Sequence, residues 1–189
     1  EPGSRQGILV FWDDFEDGSA TDTWTLYGGT YSYWNAQTTT VYAGTYSLRL
    51  TGGTSGQKNG ITQNMGAGGI TPTYISYYAR SSSTAKDEAN FKFFDATDTQ
   101  MPVALFYGND GSIHVYGASQ TYAYTANTWY QVELRNIDWT AQTYDIYVNG
   151  TIVKVNDTFN AVSPTLGNLY LTNWSSTGDA WYDNIEMRQ

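Results

Sequence analysis

The chain has no cysteine, one histidine, four prolines and few charges. Without cysteine there is no disulfide framework, and the redox compartment cannot be read from thiols. Neither a zinc site with His/Cys spacing, nor a phosphate-cradling glycine loop after a strand, nor a nucleophile elbow is present. No apolar run approaches the ~20 residues of a membrane span. No stretch of ten or more residues shows helical spacing, which removes helical folds. Only 14% of residues are charged, against about 25% in an average soluble domain. Nine bases face 18 acids, a net charge of −9. Nucleic acid is therefore an unsuitable partner, because it requires clustered Lys and Arg.

What is present is the material of β structure. There are 19 glycines and 17 tyrosines among many Ser and Thr, so short strands joined by turns are expected. A surface dressed in Ser, Thr, Asn and Tyr is in the style of a secreted protein. The clearest architecture is Asn127–Val155. Tyr130–Leu134 and Tyr144–Val148 alternate apolar and polar residues, the period of a strand with one buried face. Asn149-Gly150 supplies a two-residue turn whose residues accept positive φ, and Thr151–Val155 returns. Asn109-Asp110-Gly111 marks a second hairpin. Twelve or more short strands in 189 residues predict one all-β domain, an antiparallel two-sheet β-sandwich, with residues 1–7 as a flexible or expression-derived tail.

Near the N-terminus, Asp13-Asp14-Phe15-Glu16-Asp17 packs four carboxylates into five residues. Their mutual repulsion would be relieved by a cation. With Trp24, this segment resembles the first strand of jelly-roll carbohydrate-binding modules. Ala43-Gly44-Thr45-Tyr46-Ser47-Leu48 and Trp181-Tyr182-Asp183-Asn184-Ile185-Glu186 resemble a middle strand and the closing strand of the same modules. Trp129-Tyr130 through Asn149-Gly150 is similar to the concanavalin A-like, laminin-G-like sandwiches. The resemblance implies a structural calcium ion (Ca2+) held by Asp14, Glu16 and Asp183, with carbonyls near Gly44 and Ser47. Calcium takes six to eight oxygens of this kind.

Alternation also sorts the faces of each strand. Phe91 and Phe93 point inward, so Lys92 and Phe94 point outward. The same rule turns Tyr78, Arg80, His114, Tyr116, Gln131, Glu133, Arg135, Asp145 and Tyr147 outward. If the strands share a sheet, these side chains form one face. Aromatic rings mixed with planar polar groups suit sugar recognition, since rings stack on the C–H face of a pyranose and the polar groups take its hydroxyls. A solvated face with charge pairs such as Arg135–Asp145 or Lys92–Glu133 is the plainer alternative. Trp24, Trp129 and Trp181 are expected in packing, with Trp12 joining them. Trp34, Trp139 and Trp174 lie beside turns, where they would present stacking platforms.

The leading expectation is a secreted, calcium-stabilised, non-catalytic domain that binds a polysaccharide or other glycan. The first alternative is a polysaccharide-degrading enzyme with its site around His114. As a lyase it would use His114, Tyr116 and Arg135 with Glu133 beside them, but the long C-terminal motif of jelly-roll lyases is absent. As a glycoside hydrolase it would pair Glu133 with Asp145, but the Glu-x-Asp-x-x-Glu strand of laminarinase-like hydrolases is absent. The second alternative is a self-assembling surface protein whose edge strands pair between copies, with Ile8–Trp12 entering a neighbour's sheet.

Overall fold

The computed structural model describes residues 7–27, 34–52, 59–175 and 177–189. Most of the expected N-terminal tail, residues 1–6, lies outside them. The described residues form fifteen strands and no helix. In chain order the first five are β1 (Leu9–Asp13), β2 (Thr25–Leu26), β3 (Trp34–Gln37), β4 (Ser47–Thr51) and β5 (Asn59–Asn64). The next five are β6 (Tyr74–Ser81), β7 (Glu88–Phe94), β8 (Val103–Tyr107), β9 (Ser112–Val115) and β10 (Thr121–Ala123). The last five are β11 (Tyr130–Asp138), β12 (Thr143–Val148), β13 (Thr151–Thr158), β14 (Asn168–Asn173) and β15 (Asp179–Arg188).

Every pairing between these strands is antiparallel. They divide into two sheets. The first runs β13-β12-β11-β6-β15-β4-β3, with β1 added against β15. The second runs β10-β9-β8-β7-β14-β5-β2. The inner faces meet in one core, which includes Tyr77, Phe91, Phe93, Val132, Ile146 and Tyr182. Tyr77 and Phe91 stack between the sheets at 3.9 Å, nearly parallel. The inward set expected from the meander, Tyr130, Val132, Leu134, Tyr144, Ile146 and Val148, is buried throughout. Asn149 and Gly150 both take positive φ, 48° and 74°, as a type I′ turn requires.

Two expectations change. Ile8–Trp12 does not lie free for a neighbour: Leu9, Phe11 and Trp12 register with Arg188, Met187 and Glu186 of the same chain. Trp12 does not enter the core either, being 55% exposed.

A third change matters most for function. The outward residues belong to two sheets. Tyr78, Arg80, Gln131, Glu133, Arg135, Asp145 and Tyr147 stand on the first, and Lys92, Phe94, His114 and Tyr116 accompany the second. Alternation gave each strand's faces correctly, but it carries no information on which sheet a strand joins.

Candidate functional site: a groove across the second sheet

The outer face of the second sheet carries a groove with a cavity of about 390 Å³. Its floor follows from register. Tyr170 of β14 pairs with Lys92 of β7, and Lys92 pairs with Ala104 of β8. The small Ala104 side chain between longer neighbours leaves the depression open. Phe94 and Tyr27 meet Tyr170 edge to face at 4.9 and 4.6 Å, the geometry aromatic quadrupoles favour. Tyr170 is fixed further by its hydroxyl, which donates to Asp98 Oδ2 at 2.6 Å. Burial, with the Asp98 acceptor, raises its pKa far above the ordinary tyrosine range.

Trp174 stands at the rim, half exposed. Lys92 Nζ lies 4.7 Å from the centre of its ring, a cation–π contact. Asn90 and Thr172 also border the groove, with the Thr172 hydroxyl itself buried, and Asp87 adds a carboxylate-bearing side chain. Asn90 donates to the Thr172 carbonyl at 3.3 Å. Toward β9, Phe106 and Tyr116 continue the aromatic wall. His114 stacks on Phe106 at 5.0 Å, and its Nε2 is 2.9 Å from Asp110 Oδ1. That contact holds the Asp110 carboxyl below its usual range.

Of the nominated ligand residues, Lys92, Tyr116 and Trp174 thus line one groove, with Phe94 beside them and His114 at its edge. Tyr27, Asn90, Phe106, Tyr170 and Thr172 were not nominated. The same alternation would have found Tyr170 and Thr172, because the flanking Leu169 and Leu171 are buried.

The nominated residues on the first sheet are engaged with neighbours on that sheet and its loops. Glu133 accepts from Tyr74 and from Arg135, each at 2.7 Å. Arg135 also lies over the Tyr147 ring at 4.0 Å. Asp145 accepts from Asn136 Nδ2 and from the Asn156 backbone N–H, each at 2.8 Å. Gln131 donates to Ser76 Oγ at 3.2 Å. Arg80 donates to Asn127 and covers Trp181. Arg135 faces Asp145 in register yet bonds Glu133 instead. Lys92 and Glu133, on different sheets, do not pair across a face. The set His114, Tyr116, Arg135 and Glu133 is divided by the sandwich and cannot act on one substrate atom.

Among the turn-side tryptophans, Trp34 is 4% exposed and only borders a small cavity beside Gly18–Thr21. Trp139 packs on Phe159 at 5.1 Å and donates to the Pro72 carbonyl. Both are structural in position.

No protein-family model matches the chain, and no curated protein does. Solved structures do. A sialidase superposes with a TM-score of 0.74 at 15% identity, over 94% of this chain and 18% of the sialidase; the chain thus spans under a fifth of that protein. An endo-β-1,4-glucuronan lyase from the fungus Trichoderma reesei gives 0.65 at 14% identity over 96% of each chain. A laminarinase from Flavobacterium sp. UMI-01 gives 0.65 at 15% identity, over 96% of this chain and 100% of that one. The chain is a jelly-roll β-sandwich. Its fold is shared with carbohydrate-active proteins of different chemistries, so the fold does not choose among them.

The jelly roll brings three of the five nominated calcium ligands together. The loop between β3 and β4 wraps two carboxylates. Glu16 accepts the backbone N–H groups of Thr45 and Tyr46, each at 2.8 Å, and these bonds hold its carboxyl below the usual range. Gly44, at φ +72°, comes so close that a Cβ there would lie 2.3 Å from Glu16 Oε1. Asp183 is buried, and its Oδ2 accepts from Tyr42 and Ala43 at 3.0 and 3.2 Å. Its Oδ1 is buried without a hydrogen-bond partner. Burial pushes the Asp183 carboxyl up to about 6.

Asp14 accepts from the Glu16 N–H, and Ser47 Oγ donates to the Thr40 carbonyl. Among the described residues no three His, Cys, Asp or Glu side chains are grouped to hold a metal. A cation here would draw most of its shell from backbone carbonyls. The orphaned Asp183 oxygen, buried near a second carboxylate, is nevertheless what a hard cation satisfies.

Proposed function

We propose that the chain is a polysaccharide-binding domain of a secreted protein and that the groove on the second sheet is its binding surface. The observation that carries this is the lining: an exposed Trp174 and the edge-to-face rings of Tyr27 and Tyr170 beside Lys92 and Asn90. Rings give the apolar faces of successive pyranoses a surface, and the amide and ammonium fix their hydroxyl groups. Calcium, bound through Asp183 and Glu16, is proposed to tie the β3–β4 loop to β15 and to act on stability rather than recognition.

Two measurements check this. A glycan array followed by affinity electrophoresis should select at least one polysaccharide, and Trp174→Ala should release it. Retained binding in that variant would move the site elsewhere. Adding calcium to chelated protein should raise its melting temperature, and an unchanged melting curve would remove the ion.

A second reading, a polysaccharide lyase, is favoured by one observation: His114 is oriented by Asp110 and Phe106 at the groove edge. An imidazole so held is positioned to serve as a general acid or base. Unsaturated products absorbing in the ultraviolet, lost in His114→Ala, would establish it. The Glu133–Asp145 hydrolase pair has no comparable support, because both carboxylates are hydrogen-bonded on the opposite sheet.

A further inference from the structure

The outer face of the first sheet holds a second concavity, of about 190 Å³, bounded by Trp12, Tyr42, Ser76, Tyr78, Asn184 and Glu186. Its construction is deliberate in two respects. First, β15 carries a bulge opposite β6, between Asp183 and Glu186. Without the extra residue these two would point to opposite faces; with it, both face outward. Asn184 sits at the bulge with φ 47°, a conformation Asn tolerates better than most residues. Bulges of this kind re-aim side chains and recur beside binding sites.

Second, Tyr42 is brought there from a distant loop. Asp183 accepts the N–H groups of Tyr42 and Ala43, which sets the Tyr42 ring 3.6 Å from Tyr78, nearly parallel. Trp12, 55% exposed on the strand that pairs with β15, closes the other side. A large ring left in water on a sheet face loses apolar contact that a ligand would restore.

We propose that this concavity is a second carbohydrate site, for a single neutral pyranose, on the face opposite the groove. Trp12 offers the ring face for stacking. Ser76 Oγ, which accepts from Gln131, still has its own proton to donate. The Asn184 amide both donates and accepts. The Glu186 carboxylate, joined to Arg188, places negative charge on the wall of the concavity. This mixed donor–acceptor wall suits hydroxyls better than a quaternary ammonium group, which has no N–H to donate and draws on aromatic faces rather than hydrogen-bond partners. The Glu186 carboxylate and the net charge of −9 select against uronic and sialic acids. The site is independent of the groove, and each can fail alone.

The test is titration of the isotope-labelled protein with glucose, galactose, mannose and N-acetylglucosamine, with glucuronic acid and choline as contrasts. One neutral sugar should shift the Trp12 indole and Asn184 amide signals saturably in the millimolar range. The shifts should persist in Trp174→Ala, and affinity should fall roughly tenfold or more in Trp12→Ala. Asn184→Gly, which keeps the positive φ while removing the amide, should weaken binding with the fold intact. No saturable shift at Trp12 with any neutral sugar, or a response to choline or glucuronic acid alone, would overturn the proposal.

Discussion

Single residues decide how much this sandwich tolerates. Glu88 is fully buried at the start of β7, where its carboxylate accepts from Ser81 Oγ at 2.7 Å and the Ser82 N–H at 2.8 Å. Burial outweighs those bonds and lifts its pKa above the ordinary 4.5. The folded state then binds a proton that the unfolded chain has already released. Stability must therefore fall as pH rises from 4.5 through the raised value, and level off above it. In Glu88→Gln this part of the slope should vanish from thermal melts taken across the acid range. An unchanged slope would assign it to other carboxylates. Tyr170 is the second such residue. Tyr170→Phe removes the bond to Asp98 and should cost about 1–2 kcal/mol in denaturant unfolding, while freeing the ring that underlies the groove.

Among the elements, the β3–β4 loop is the most constrained. Its backbone donors close on Glu16 and Asp183, and Gly44 has no room for a side chain. Gly44→Ala should destabilise by about 1–3 kcal/mol and abolish any calcium-dependent rise in melting temperature. Persistence of that rise in the variant would place the ion elsewhere. This loop also shows what a sequence discloses. The acidic turn, the Gly-Ser strand and the closing Asp could be grouped from sequence only through their resemblance to the strands of jelly-roll carbohydrate-binding modules. The buried, partnerless Asp183 oxygen was not legible, since it depends on packing between segments some 140 residues apart. Strand faces were legible through local alternation, from Phe91 through Val148. Trp12 defeated the sequence because an exposed ring and a core ring look alike without a partner strand.

At the scale of the whole molecule, the assignment of strands to sheets decides which side chains share a face. One set of outward side chains became two, on opposite sides of the sandwich. On the first sheet, Arg135 is taken up by Glu133 and the Tyr147 ring, and Asp145 by Asn136 and the Asn156 N–H. On the second, Trp174, Lys92 and Tyr170 frame an open trough. Nothing in the period-2 pattern separates these cases, because sheet order is set by long-range pairing such as β6 with β15 and β7 with β14. The central claim is that polysaccharide is held on the second sheet. Affinity electrophoresis of Trp174→Ala and Tyr147→Ala, against whichever polysaccharide the array selects, tests it most directly. The account predicts a loss of roughly tenfold or more for Trp174→Ala and wild-type retardation for Tyr147→Ala. The reverse pattern would contradict it.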